Sequence, residues 1–352
     1  MKKYFGNFVK KNKLLKSFTL KLNNLLSMSR KATIISHHNP DGDALGSSLA
    51  LYNFLIEKKI KPTIVLPNPF PEFLDWMHTD EELIIYSKKN SLKIKEILNQ
   101  SDIVFCIDLN ALNRTNKLET YIRNSSAKKV LIDHHPDPEI ESFDIHYSKI
   151  DTSSTAELIF DVINGIDGDN VINKKIAESI YVGMITDTGS FSYSCNYVST
   201  FLIVAKLVGL GVDCANIQRL VYNNFSENRM RLFGICLSKN LYVFPEFKTA
   251  YIVLSLKDLE KYSFKVGDTE GIVNYAMAIK GIEFAALFVE RQDLIRISLR
   301  SYGNLSVNQI AKTFFDGGGH KNAAGANSYY SLRKTVNIFK NILPQLKEYY
   351  QN

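Results

Sequence analysis

Five of the seven histidines in this 352-residue chain fall in three short motifs, and two of those motifs are rich in aspartate. They are His37-His38-Asn39-Pro40-Asp41-Gly42-Asp43, Asp133-His134-His135 and Gly317-Gly318-Gly319-His320. Neutral imidazole and ionised carboxylate are ligands that divalent cations take, and a solvated surface has no reason to gather them. Asp41, Asp43, Asp108 and Asp187 together carry four negative charges, the amount that balances two divalent ions. His37 and His134 complete the shells without adding charge. Two such ions about 4 Å apart can activate a hydroxide and clamp the attacking and leaving oxygens of an in-line displacement at phosphorus. The donors are oxygen and imidazole with no thiolate. That disfavours structural zinc and suits Mn²⁺, with Co²⁺, Mg²⁺ or catalytic Zn²⁺ as alternatives.

Each piece alone has a bland reading. An isolated Asp-Gly-Asp is usually a turn, here with Gly42 easing the bend between the two aspartates and Pro40 stiffening its start. Asp108 alone could cap a helix. Together, with three of the pieces directly after apolar runs, they describe a metal-dependent enzyme. His38 adjoins His37 and reads as packing or as a support behind the ligands, and His78 and His146 have no such company.

The third motif lies in Phe315-Asp316-Gly317-Gly318-Gly319-His320-Lys321-Asn322-Ala323-Ala324-Gly325. Three successive glycines cost backbone entropy. A loop whose bare N–H groups approach a phosphate would justify them. His320 and Lys321 would add donors, and Arg300 and Ser301 could reach the same anion.

The elements that must position these residues follow from patterning. Apolar, β-branched runs at 32–36, 63–66, 103–107 and 130–132 alternate with stretches of helical length such as 44–58 and 84–99. This is the pattern of a parallel sheet covered on both faces. His37, Asp108 and Asp133 come directly after three of the strands, where open α/β sheets place their sites. A helix over 173–187 delivers Asp187 at its end. Residues 198–240 read as helical and connective, with a polar hinge at 223–228. Beyond residue 246 the strands at 250–254, 284–289 and 295–300 change character. The last alternates, Ile295, Ile297 and Leu299 to one side and Arg296, Ser298 and Arg300 to the other, and the turn at 291–293 suggests a hairpin. Residues 306–315 and 332–349 read as helices.

The bulk numbers agree with a globular enzyme. The length favours two domains, and 45% hydrophobic with 22% charged residues is an ordinary globular balance. A net charge of +7 favours anionic partners. The early lysines Lys2, Lys3, Lys10, Lys11, Lys13, Lys16 and Lys21 read as a solvated helix face. No apolar run reaches the roughly 18 residues a membrane helix needs, and nothing resembles a secretory signal. Cys106, Cys195, Cys214 and Cys236 show no pairing pattern, as in a reduced cytoplasmic protein.

These motifs together resemble the DHH/DHHA1 phosphoesterases. The matching stretches are His37 to Ser47, Asp108 with Arg114, Asp133-His134-His135, Ser154-Thr155-Ala156-Glu157, Gly183 to Phe191, Glu270 to Asn274, and Ser298 to Ser301 with Gly317 to His320. Asp316 departs from the pattern, standing where the family often has another glycine. The resemblance implies an N-terminal DHH domain with a parallel sheet flanked by helices (1–220), a helical linker (221–245) and a smaller C-terminal α/β DHHA1 domain with a mixed sheet (246–352). It implies that His37 and Asp41 hold one metal, that Asp43, His134 and Asp187 hold the other, and that Asp108 bridges them. His135 would contact the scissile phosphate or help protonate the leaving oxygen. Arg114, His135, Arg300, Ser301, Gly318, Gly319 and His320 would bind substrate, the C-terminal domain closing over the cleft. The chain looks like the short nanoRNase type. Such enzymes cleave short RNA oligonucleotides to 5′-mononucleotides and convert 3′-phosphoadenosine 5′-phosphate (pAp) to AMP. Dinucleotides such as pApA or cyclic dinucleotides are an alternative substrate, and a non-catalytic nucleic-acid-binding module is a third reading. No membrane partner is implied, and a homodimer is allowed.

Overall fold

The computed structural model describes residues 13–78 and 83–350, so Lys2, Lys3, Lys10 and Lys11 lie outside the described residues. The chain divides into two compact units, Met1–Asn224 and Phe225–Asn352.

The first unit is built on six parallel strands, β1 (Lys31–Ile35), β2 (Lys61–Leu66), β3 (Leu83–Ile85), β4 (Ile103–Ile107), β5 (Lys128–Asp133) and β6 (Ile145–Ser148). Its helices are α1 (Lys13–Met28), α2 (Gly42–Glu57), α3 (Ser91–Gln100), α4 (Glu119–Asn124), α5 (Thr155–Asp167), α6 (Lys174–Asp187), α7 (Val198–Gly209) and α8 (Cys214–Tyr222). Successive residues of a strand are buried on opposite faces. Ile34 and Phe105 join a core with Phe18 of α1, Leu49 of α2, Ile159 of α5 and Ile180 of α6. Ile35 and Val104 join a second core with Leu98 of α3 and Ile122 of α4. Two buried faces explain why the central strands are apolar without alternation. On α1, Leu15, Phe18, Leu22 and Leu26 are buried while Lys13, Lys16 and Lys21 are exposed, as a solvated lysine face requires.

The strand order β3-β2-β1-β4-β5-β6 positions the site. From β1 the chain winds outward through β2 and β3, then returns to β4 on the other side of β1 and winds outward again. Between the carboxyl ends of β1 and β4 is the topological switch point, where the flanking loops diverge and leave a crevice.

The stretch 84–99, expected to be helical throughout, is divided. Leu83–Ile85 forms β3, an edge strand beside β2, and the helix starts only at Ser91. Between them the Ser87 and Asn90 side chains and backbone cap a single 3-10 turn reciprocally, which stops the strand and starts the helix.

The second unit holds a six-stranded mixed sheet ordered β11-β12-β10-β9-β8-β7. Its strands are β7 (Leu241–Phe244), β8 (Thr249–Leu254), β9 (Phe284–Glu290), β10 (Ile295–Ser301), β11 (Asp316–His320) and β12 (Ala323–Ser328). Only β8 and β9 pair in parallel. One face packs on α9 (Glu227–Ser238), α10 (Leu256–Lys261) and α11 (Ile272–Met277) through Leu232, Leu259 and Val273. The other packs on α12 (Val307–Phe314) and α13 (Leu332–Ile342) through Ile310 and Phe339. The alternation in 295–300 is that of β10, which buries Ile295, Ile297 and Leu299 and forms a hairpin with β9.

The glycine run differs from expectation. It is not a loop but strand β11, paired antiparallel with β12 at the sheet edge. An ideal Cβ on Gly319 would stand 2.6 Å from the Ala323 carbonyl oxygen, and one on Gly317 would overlap Ala326. The two strands approach too closely for a side chain at Gly317 or Gly319, so glycine is required at those two positions for packing. Among the described residues, no single helix is long and apolar enough to cross a membrane.

Candidate active site

Leaving β1, the chain buries Ser36 and His37 and bends through Asn39, whose φ is +59°. Asp41 then caps α2, its Oδ1 accepting from the N–H groups of Asp43 and Ala44, each at 3.0 Å. Its second oxygen is not used by the cap. Gly42 serves a different purpose from the turn expected of it. Its φ is not positive, and a Cβ there would overlap the Thr186 side chain. One turn on, a Cβ at Gly46 would stand 2.5 Å from the Ser179 carbonyl oxygen. Glycines thus let α2 lie against α6, which sets Asp43 beside the end of α6 where Asp187 sits.

Asp108 follows β4 with a φ of +58°, a left-handed conformation that aspartate tolerates better than most residues. It is 2% exposed, and its two oxygens face different histidines. Oδ2 lies 3.4 Å from His37 Nε2, and Oδ1 lies 3.5 Å from His134 Nε2. His37 Nε2 is also 3.9 Å from Asp41 Oδ1. His134 Nε2 is 3.9 Å from Asp43 Oδ2 and 3.6 Å from Asp187 Oδ2. Two donor groups, His37–Asp41–Asp108 and Asp43–Asp108–His134, each gather within 4.8 Å and share Asp108. The structure therefore brings together His37, Asp41, Asp43, Asp108, His134 and Asp187.

The electrostatics of this cluster are those of crowded carboxylates. Burial, then Asp108, Asp187 and Asp41, hold the Asp43 carboxyl well above its usual range. Burial pushes Asp108 the same way, but His37, His135 and His134 overcome it and hold Asp108 well below. Burial lowers His37, yet its bond to Asp108 leaves it raised overall. Four acids and their histidines thus share too few positive charges, a deficit that two divalent cations would offset. The donor chemistry fits such ions. It is carboxylate and imidazole only, and the nearest thiol in sequence, Cys106, is buried in β4 and pushed up to about 12 by burial, so it offers no thiolate.

Asp133, fully buried at the end of β5, accepts from the His135 backbone at 3.0 Å and meets His135 Nδ1 at 2.7 Å. Burial and Asp108 raise it to about 7. It orients the His135 ring, a role not read from the sequence although the two residues stand side by side in one motif. Arg114 lies on the turn at 112–118; its carbonyl accepts from His38 N–H at 2.7 Å, and its charge acts on His37 and Asp133. Thr155, named in a matching stretch but given no role from the sequence, donates its hydroxyl to Asp108 Oδ1 at 2.8 Å from 47 residues away.

In the second unit Arg300 pairs across β12 with Ala323, which pairs in turn with His320. Both side chains therefore occupy one row across the sheet, roughly 10 Å apart by strand spacing. Arg300 Nη1 donates to the Leu299 carbonyl at 2.9 Å, and Gly319 N–H donates to Asn308 Oδ1 at 3.1 Å. Gly318 beside it has more open space, with Asn308 Oδ1 at 3.5 Å from an ideal Cβ. Ser301 is engaged in the fold: its hydroxyl donates to Leu305 O at 2.7 Å and accepts from Asn322 Nδ2 at 2.9 Å. Asp316 accepts from the Tyr329 hydroxyl at 2.9 Å.

Comparison with known proteins gives a consistent picture. The DHH family, N-terminal domain, matches residues 31–184, and the DHHA1 domain matches residues 248–350. A Streptococcus mutans protein named probable bifunctional oligoribonuclease and PAP phosphatase NrnA is 29% identical over 324 residues, 90% of this chain and 95% of that one. The Bacillus subtilis bifunctional oligoribonuclease and PAP phosphatase NrnA is 26% identical, over 90% of this chain and 96% of its own. The crystal structure of an exopolyphosphatase-related protein from Bacteroides fragilis superposes with a TM-score of 0.90 at 36% identity, covering 96% of this chain and 98% of that one.

Proposed function

This chain belongs to the DHH/DHHA1 family of phosphoesterases, and on that premise we propose that it is a divalent-metal-dependent hydrolase of short oligoribonucleotides that also removes the 3′-phosphate of pAp. The observation that carries the proposal is Asp108, one buried carboxylate with an oxygen toward each of two donor groups. The names of the Streptococcus and Bacillus relatives supply the substrate class.

His37 and Asp41 would hold one cation, Asp43, His134 and Asp187 the other, and Asp108 both, with Mn²⁺ the ion best matched to the donors. Bound there, two such ions supply an activated water and neutralise charge on the phosphoryl group. The remaining work falls to the chain. Asp133 holds His135 Nδ1, which leaves Nε2 to pass a proton to the leaving oxygen, while Asp133 fixes the ring and stabilises the positive charge it carries before transfer. In the first unit Arg114 and His135 would bind substrate; in the second, Arg300, Gly318, Gly319 and His320 would bind the terminal nucleotide and its phosphate, with Ser301 shaping the turn beside them. Residues 1–220 would be the catalytic part and 246–352 the substrate-binding part; of the stretch 221–245 expected as a helical linker, α9 and β7 already belong to the packing and sheet of the second unit.

The test is parallel turnover of pAp, a 5′-labelled RNA trimer and pApA by protein stripped of metal and reloaded with Mn²⁺. Hydrolysis of pAp and the trimer is expected. Mn²⁺-bound protein that hydrolyses neither would refute the substrate assignment, and turnover of pApA alone would replace it with a dinucleotide one.

A further inference from the structure

The first turn of α5 makes contacts that neither the fold nor the ligand set demands. Thr155 N–H donates to Asp43 Oδ2 at 2.7 Å, and Ala156 N–H donates to Asp43 Oδ1 at 2.9 Å. The Thr155 hydroxyl donates to Asp108 Oδ1 at 2.8 Å. Two of the amide groups that a helix leaves unsatisfied at its start are thus directed at one carboxylate of the centre, and a hydroxyl at another. Behind this turn lies Glu157, 1% exposed. Its Oε2 accepts from Ser153 Oγ at 2.6 Å, Thr200 Oγ1 at 2.6 Å and Ser153 N–H at 3.3 Å, and its Oε1 accepts from Ser199 Oγ at 2.6 Å. Ser199 and Thr200 open α7, the next helix after Asp187.

We infer that this turn is the positioning device of the centre: Thr155 fixes the orientation of the shared carboxylate Asp108, and Glu157 locks the turn in place by tying it to the start of α7. The inference rests on the two-cation reading of the site. A buried carboxylate is costly to desolvate, and apolar residues would join α5 to α7 at lower cost. What apolar packing could not give is orientation. Asp108 reaches both donor groups only if each oxygen keeps its direction, and a side chain on a left-handed backbone has no helix or strand of its own to hold it. The Thr155 hydroxyl holds Oδ1 at 2.8 Å while His134 Nε2 faces the same oxygen at 3.5 Å. Hydrogen bonds to ligand carboxylates tune metal sites in this way, and losing one typically weakens metal binding by about 10- to 100-fold. Thr155 and Glu157 are positioning residues, since neither belongs to the donor groups themselves.

The test uses the full chain and reads Mn²⁺ affinity by calorimetry and the Mn²⁺ electron spin resonance signal, independent of any substrate. Thr155→Val keeps the shape and removes only the donor. It should weaken Mn²⁺ binding about 10- to 100-fold, lower kcat on pAp with little change in KM, and leave the metal-free melting temperature near that of the wild type. Thr155→Ser, which restores the hydroxyl, should recover most of the affinity. Glu157→Gln should weaken Mn²⁺ binding in the same direction and provides the test if the valine variant does not fold. Wild-type affinity in Thr155→Val, or no recovery in Thr155→Ser, would overturn the role of Thr155. Wild-type affinity in Glu157→Gln would overturn the lock. A wild-type protein that takes up no Mn²⁺ would overturn the metal reading itself, and the inference with it.

Discussion

Stripped of divalent cations, the protein should lose stability as the pH rises from about 5 to about 8, and Mn²⁺ should reverse that loss. Asp133 carries the magnitude. Burial, with Asp108 next to it, raises its folded value from 3.8 to about 7. Between those values the folded protein keeps a proton that the unfolded chain has released. Stability from this group is therefore greatest at the acidic end of the window and is lost as the pH passes 7. Holding Asp133 ionised in the fold at pH 8 costs about 4 kcal/mol at 1.36 kcal/mol per pK unit. Asp43, also raised, acts with the same sign. So does His37, whose raised value adds stability below its ordinary 6.5 that is lost above its folded value. Cation binding requires the ligands among them, Asp43 and His37, to be deprotonated, so the Mn²⁺-dependent gain should grow with pH, reaching about 2.7 kcal/mol when free Mn²⁺ is 100 times its dissociation constant. Urea unfolding at pH 5, 6.5 and 8, with chelator and with Mn²⁺, measures both slopes, and Asp133→Asn should flatten the chelator slope. A chelated protein whose stability is flat or rising across this window would refute the reasoning, as would a Mn²⁺ gain that does not change with pH.

Three further outcomes follow from the same geometry. Asp108→Asn preserves size and the Thr155 contact but removes the shared charge; kcat/KM on pAp should fall by roughly 100- to 5000-fold, from the 3–5 kcal/mol typical of breaking a buried charge cluster, and a loss under tenfold would contradict the bridging role. Asp161 on α5 is raised to about 7 by burial and by Glu157, with Lys149 opposing. Allowing for its half-buried side chain, Asp161→Asn should stabilise the protein by about 1–3 kcal/mol at pH 8 and far less at pH 5, which denaturation at the two pH values would show. Gly319→Ala places a methyl group 2.6 Å from the Ala323 oxygen at a φ of +147° and should cost about 1–3 kcal/mol, read as an earlier unfolding transition.

The parts of the fold legible in the sequence are those whose physics is local. β1, β4 and β5 are buried on both faces and read as continuous apolar runs. The edge strands escape that reading. Ile84 and Ile85 in β3, and Ile145 and His146 in β6, are only half-buried, so their runs are short and broken by polar residues. β11 was hidden for a different reason: glycine has no preference for strands, and the run is a strand through its pairing with β12, which leaves no room for a side chain at Gly317 and Gly319. At the site, His37, Asp41, Asp43, Asp108, His134 and Asp187 were legible because rare residue types stood at strand and helix ends. Gly42 was noticed but its reason was not, since Thr186 lies more than a hundred residues away. Thr155 and Glu157 stand in one of the matching stretches, but they act through long-range hydrogen bonds spanning 42 to 112 residues, and hydroxyls are too common for a spacing argument to give them a role.

The central claim is that two cations share Asp108. Crystals soaked in Mn²⁺ and measured at the manganese absorption edge would test it most directly. The account predicts two anomalous peaks per chain on opposite oxygens of Asp108, one against His37 and Asp41 and the other against Asp43, His134 and Asp187. A single peak, or peaks that leave Asp108 uncoordinated, would contradict it.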